Sequence, residues 1–128
     1  MNKKDQTLLK HIAQAILDKK GFNILVLDVE GISTLTDHFV IAEGTVDRHL
    51  RALARDIVEL MKENGRVPYH IEGLQEADWI VLDFVDIVIH LFVAGLREKY
   101  ALEEVWKAGK VVDVPLELPQ EKQEEGWS

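Results

Sequence analysis

The sequence of 128 residues contains no cysteine, which excludes disulfide bonds, thiol nucleophiles and cysteine-ligated zinc or iron–sulfur centres. Its three prolines and eight glycines are too few for a collagen-like or low-complexity chain. The longest dense apolar stretch, 86–95, has about ten residues, half of what a transmembrane helix needs. No apolar run of signal-peptide length follows the first lysines. We therefore expect one globular domain with a cytoplasmic location and no membrane contact.

Residues typical of catalysis are also scarce. The only serines are Ser33 and Ser128, and neither lies in the Gly-x-Ser-x-Gly pattern of a serine nucleophile. The five histidines show no His-x-x-x-His spacing, so the sequence predicts no metal site and no cofactor. Gly44-Thr45 precedes a predicted helix and could offer backbone N–H groups to an anion, but a single glycine there is more often a turn.

The net charge of −8 is unevenly distributed. From Asp113 onward there are five acidic residues and one lysine, so this short segment carries half of the net charge. We expect a single α/β domain over residues 1–112 and an acidic, extended or disordered tail over 113–128. No stretch concentrates lysine and arginine without interleaved acids, so direct DNA or RNA binding is not expected.

Hydrophobic periodicity indicates alternating helices and strands. We predict helices over 5–19, 45–64 and 96–106, and strands over 23–29, 37–42, 69–72, 79–83 and 86–92. The second helix would be capped by Thr45 or Asp47, and its charged face would be solvated. The order α-β-β-α-β-β-β-α predicts a small mixed sheet of about five strands flanked by helices, with the last two strands antiparallel. Phe84-Val85 suits a tight turn poorly, so we expect a bulge or wider loop there.

Large aromatic side chains are concentrated in the second half of the chain. We assign Phe92 and Trp106 to the core, whereas Trp79 and Tyr100 fit either the core or a protein interface. His90, with apolar neighbours on a predicted strand, is more often a hydrogen-bonded core residue than a ligand.

Several separate motifs occur in a specific order. They are the segments 37–49 (DHFVIAEGTVDRH), 72–73 (EG), 78–83 (DWIVLD), 86–90 (DIVIH) and 100–106 (YALEEVW). Together they strongly resemble the ribosomal silencing factor family, also called the Iojap family. The likeness runs from about Leu8 to Trp106.

The resemblance implies a homodimer that is similar in fold to nucleotidyltransferases but is not an enzyme. Such a factor binds the large ribosomal subunit through universal large-subunit protein fourteen on the intersubunit face. It sterically blocks joining of the small subunit and represses translation when nutrients are short. The candidate ribosomal-protein-binding residues are Trp79, Val81, Arg97 and Tyr100, with Trp79 and Tyr100 as apolar anchors. An acidic protein also suits a basic ribosomal partner.

Two other interpretations stay open: a nucleotidyltransferase-like enzyme that uses Asp83 and Asp86 with a metal or nucleotide, and a dimeric adaptor with another partner. The sequence also departs from the family pattern. It has Val46 where serine is usual, Val85 where glycine is usual and Gly95 where glutamate is usual.

Overall fold

The computed structural model describes residues 3–96 and 109–117, which form an α/β domain. Its elements are α1 (Lys3–Asp18), β1 (Phe22–Asp28), β2 (His38–Gly44), α2 (Asp47–Glu63), β3 (His70–Glu72), β4 (Trp79–Asp83), β5 (Ile87–Val93) and β6 (Lys110–Val111). The predicted order is confirmed from α1 to β5. Positions 97–106 of the predicted last helix lie outside the described residues. Neither of these two helices is both long and apolar enough to cross a bilayer.

The six strands form one mixed sheet in the order β3-β4-β5-β2-β1-β6. β2 and β5 are parallel, and every other neighbouring pair is antiparallel, including the β4–β5 hairpin that the sequence predicts. All seven residues of β2 are buried, as expected for a central strand. The two-residue strand β6 was not predicted and pairs with the end of β1.

Both helices pack on one face of the sheet. Apolar residues at helical spacing on α1 and α2 meet alternate residues of the strands in the main core. The fully buried members include Leu9, Ile12, Ile16, Leu50, Leu53, Ile57, Met61, Ile80, Leu82, Ile87, Ile89 and Leu91. The two helices therefore cover the central part of this face.

The beginning of α2 is stabilised by a histidine in place of the expected cap. The prediction of Thr45 or Asp47 as N-cap is wrong, because Val46 holds that position without a side-chain hydrogen bond. The His49 Nδ1 atom instead accepts a hydrogen bond from the Thr45 N–H at 2.9 Å. Its Nε2 atom donates to the Lys19 carbonyl at 2.7 Å, so these partners assign the proton to Nε2. Since the Thr45 amide is already bonded, this helix start does not favour an anion site.

Part of the predicted tail lies against the domain. Val112, Val114 and Leu116 pack against the main core. The Glu117 backbone N–H donates to Gln14 Oε1 at 2.9 Å, and Gln14 Nε2 donates to the Glu117 carbonyl at 2.8 Å. Residues 112–117 therefore hold to α1 by both apolar contact and hydrogen bonds.

Candidate functional site

The sheet face opposite α1 and α2 carries an aromatic cluster, which we call the aromatic face. Its buried members are Leu27, Val29, Phe39, Ile41 and Phe92, and partly buried Trp79 packs against them. Alternate residues of one strand point to one face, so Trp79 and Val81 of β4 lie on the aromatic face with His90 and Phe92 of β5. Two of the four predicted site residues are thus on one surface.

Trp79 is held in place by neighbours on β5. Its indole Nε1–H donates to His90 Nδ1 at 3.1 Å. Its ring stacks on Phe92 with centroids 5.2 Å apart. Trp79 is partly buried, so it packs against the cluster and also keeps accessible surface. Its role in a protein interface stays a prediction.

His90 is buried, as its apolar neighbours predicted. Burial lowers its pKa from 6.5 to about 4, against a smaller opposite effect from the charge of Asp83. The imidazole is therefore neutral near pH 7. A neutral ring can accept the indole hydrogen bond, whereas a protonated ring would carry a second N–H pointing at Trp79.

Val81 and Trp79 border a surface cleft. In the sheet register Val81 lies between His90 on β5 and Glu72 on β3. The cleft has a volume of about 380 Å³ and is lined by Glu72, Gly73, Trp79 and Val81. It therefore combines apolar side chains with one carboxylate. The other two predicted site residues, Arg97 and Tyr100, lie outside the described residues.

Gly73 brings the loop after β3 onto the backbone of Trp79. Its φ is +89°, and a Cβ at this position would lie 2.0 Å from the Trp79 carbonyl oxygen. The Gly73 carbonyl also accepts a hydrogen bond from the Ala77 N–H at 2.8 Å. No other residue type fits here without moving the cleft wall, which accounts for the glycine in the second motif.

Arg51 of α2 is a positioning residue that the sequence analysis missed. Its Nε donates to the Leu74 carbonyl at 2.9 Å, and its Nη2 donates to the Gln75 carbonyl at 2.6 Å. Asp47 lies 3.6 Å from its Nη1. The prediction of a merely solvated face is wrong here, because this guanidinium ties the loop beside Trp79 to the helix. This role of Arg51 depends on a contact between α2 and a loop that is distant in sequence, and no local sequence pattern indicates that contact.

Asp83 and Asp86, the acids of the enzymatic alternative, have structural partners. Asp83 Oδ1 accepts a hydrogen bond from the Val85 N–H at 2.8 Å, and Asp86 forms an ion pair with Arg66. The connection between the two strands is the three-residue loop 84–86, with Val85 at a φ of 78°. The predicted widening of this turn is confirmed, and both carboxylates contribute to holding it.

Comparison with known proteins agrees with the motif order. The family described as "Ribosomal silencing factor during starvation" matches residues 2–128, including the acidic tail, which the quoted motifs did not reach. A ribosomal silencing factor of Bacillus subtilis is 38% identical over 94% of this chain and 100% of its own length. A mouse protein named "Mitochondrial assembly of ribosomal large subunit protein 1" is 40% identical over 66% of this chain and 38% of its own length.

Solved structures show the same fold. A crystal structure of a Bacillus halodurans protein has a TM-score of 0.74 at 31% identity, and the match covers 85% of this chain and 99% of that one. A crystal structure of a Chromobacterium violaceum protein has a TM-score of 0.76 at 26% identity, with 91% and 95% covered. Sequence and fold together place the chain in the ribosomal silencing factor family.

Proposed function

We propose that this protein binds the large ribosomal subunit and prevents the small subunit from joining it. It acts by steric exclusion and not by catalysis, through large-subunit protein fourteen on the intersubunit face, and so represses translation when nutrients are short. The active species is a cytoplasmic homodimer. The membership of the chain in the silencing family supports this role.

The observation that carries the proposal is the position of Trp79. A partly exposed tryptophan, fixed by a hydrogen bond to His90 and bordering a cleft, has the properties of an interface anchor. Its indole loses little conformational freedom on binding, because it is already stacked on Phe92. Val81 extends the apolar surface, and we propose that Arg97 and Tyr100 complete it.

Charge favours the same partner. The chain has 23 acidic and 15 basic residues, and Glu72 lies in the cleft itself. An acidic surface attracts a basic ribosomal protein and repels the phosphates of ribosomal RNA, so it favours the protein component of the subunit. The name of the mouse relative also refers to the large subunit.

The test is a sucrose gradient in which the protein is mixed with separated large and small subunits. We expect it to co-sediment with the large subunit and to lower the yield of joined ribosomes. Replacement of Trp79 with Ala should weaken binding by about 2 kcal/mol, a factor of about thirty, because it removes the anchor.

The matched control is Tyr69→Ala, since Tyr69 is 78% exposed and does not line the cleft. The melting temperature of each variant separates lost binding from lost folding. Equal ribosome affinity of the folded Trp79 variant and the wild type would contradict the proposed surface. A wild-type protein that stays at the top of the gradient would contradict the function itself. Sedimentation velocity of the free protein tests the homodimer.

A further inference from the structure

Three potential metal ligands meet where β1 ends and β2 begins. Asp28 and His38 are directly opposite each other in the β1–β2 ladder, so their side chains lie on the same face. Glu30 follows two residues after Asp28. One donor atom from each of the three lies within 4.8 Å of the others.

The imidazole of this cluster is buried with an unused nitrogen. His38 is 2% exposed, and its Nε2 is the one buried side-chain polar atom among the described residues that has no hydrogen-bond partner. A buried polar atom without a partner is costly, so its presence calls for an explanation. An imidazole nitrogen that has no hydrogen-bond partner is able to coordinate a cation.

The carboxylates are placed to complete the site. Asp28 Oδ1 accepts a hydrogen bond from the Glu30 N–H at 3.0 Å, which orients the aspartate and leaves its second oxygen available. Glu30 is exposed, so an ion can enter from solvent and the glutamate can rotate toward it. Zinc bonds of about 2.0–2.2 Å place neighbouring ligand atoms about 3.3–3.6 Å apart. Atoms within 4.8 Å of one another must therefore approach by up to about 1.5 Å to close the site.

We propose that Asp28, Glu30 and His38 bind a divalent transition-metal ion, with Zn²⁺ as the favoured ion. One imidazole and two carboxylates suit Zn²⁺, whereas Mg²⁺ and Ca²⁺ prefer oxygen ligands alone. Spacing rules for a single helix miss such a site, because its ligands come from two strands and a loop. The ion would connect Glu30, the second residue of the β1–β2 loop, to the buried start of β2. This site is independent of the proposed ribosome-binding surface.

The direct test is calorimetric titration of the full chain, freed of metal by dialysis against a chelator, with ZnCl₂ and separately with MgCl₂. We expect saturable binding of one Zn²⁺ per chain and much weaker binding of Mg²⁺. Glu30→Gln should lower the Zn²⁺ affinity at least about tenfold, because it removes a charged ligand from an exposed position where folding is not at risk. Absence of saturable Zn²⁺ binding would overturn the proposal.

The matched control is His70→Gln. His70 and Glu72 form another histidine–carboxylate pair at 3.2 Å, but both are exposed and the cluster of three does not include them. This variant should bind Zn²⁺ as the wild type does. If His70→Gln loses the ion while Glu30→Gln keeps it, binding is a surface effect and the proposal is wrong.

Hydrogen exchange supplies a second measurement that does not depend on affinity. Zn²⁺ should slow exchange of the amides in loop 30–36 in the wild type and leave them unchanged in Glu30→Gln. In NMR spectra the ring signals of His38 should shift on addition of Zn²⁺. Zn²⁺-induced protection elsewhere in the chain, with loop 30–36 unaffected, would contradict the assigned ligands.

Discussion

Two residues, Val85 and His90, adopt states that lower the stability of the domain. Val85 adopts a φ of 78°, a region that β-branched residues enter only at a cost. His90 is buried in an apolar cluster, where its Nδ1 atom accepts a hydrogen bond from the indole of Trp79. Both residues lower the free energy of unfolding, and both fix the positions of neighbouring side chains.

Replacing Val85 with Gly should stabilise the domain by about 1 kcal/mol. The gain comes from relieving backbone strain and exceeds the entropy that glycine adds to the unfolded chain. Val85 is 58% exposed, so little buried surface is lost. Urea unfolding measures the change, and Val67→Gly, at an exposed position without positive φ, should instead be destabilising. A less stable Val85 variant would show that its side chain contributes more than its strain costs.

The pKa of His90 predicts an acid-sensitive stability. The folded-state pKa is about 4 and the unfolded value is 6.5, so between these values the unfolded chain binds a proton that the folded chain does not. Stability should fall as the pH drops from 6.5 toward 4, by about 3 kcal/mol at most, and this contribution should be constant above 6.5. His90→Gln, which retains an acceptor for the indole, should lose less stability over that range.

Urea unfolding at a series of pH values provides the measurement for His90. The exposed His11→Gln serves as the control and should follow the wild-type pH profile. Parallel profiles for wild type and His90→Gln would show that other groups cause the acid sensitivity.

At the level of elements, α2 organises the cleft without lining it. The guanidinium of Arg51 joins this helix to the carbonyls of loop 73–78, and that loop meets Trp79 through Gly73. Helix, loop and strand are therefore connected by direct contacts, and a substitution on the helix side should affect the proposed binding surface.

Arg51→Met should lower the free energy of unfolding by about 1–2 kcal/mol, since two charge-assisted hydrogen bonds are lost at a partly exposed position. It should also weaken ribosome binding, although Arg51 does not line the cleft. Arg55→Met, on an exposed position of the same helix, is the control for lost charge. Thermal unfolding and gradient sedimentation measure the two effects. Unchanged ribosome affinity in the Arg51 variant would show that the loop held by Arg51 does not affect ribosome binding.

The sequence predicted the elements with strong periodicity and missed those that depend on tertiary contact. The helices and the strands through β5 follow from apolar spacing, and the family motifs led to Trp79 and Val81. Strand β6 has only two residues and exists because the edge of β1 is available to it. The carbonyl partners of Arg51 and the meeting of Asp28 with His38 depend on strand register and loop approach, which a single chain pattern does not encode.

At the scale of the whole molecule, residues 112–117 pack against the domain. Val112, Val114 and Leu116 cover part of the main core, and Glu117 is bonded at both its amide and its carbonyl to Gln14. The first acidic residues of the predicted tail thus lie in a segment that packs against the domain. The residues from Asp113 onward carry half of the net charge of the chain.

A chain that ends at Val111 should be less stable by about 4 kcal/mol than one that ends at Glu117. The difference is the partial burial of three aliphatic side chains, at about 1 kcal/mol each, plus the two exposed hydrogen bonds of Glu117, at about 0.5 kcal/mol each. Comparing these two truncations isolates residues 112–117, and urea unfolding provides the measurement. Equal stability of the two truncations would mean that residues 112–117 contact the core without stabilising it.

The parallel pairing of β2 and β5 has a consequence for how the protein is made. α2, β3 and β4 all lie between these central strands in the chain, so β2 has no partner on its β5 side until most of the polypeptide has left the ribosome. Pairing of such distant segments slows folding and leaves apolar surface open meanwhile. The newborn N-terminal half should therefore stay incompletely folded until β5 emerges.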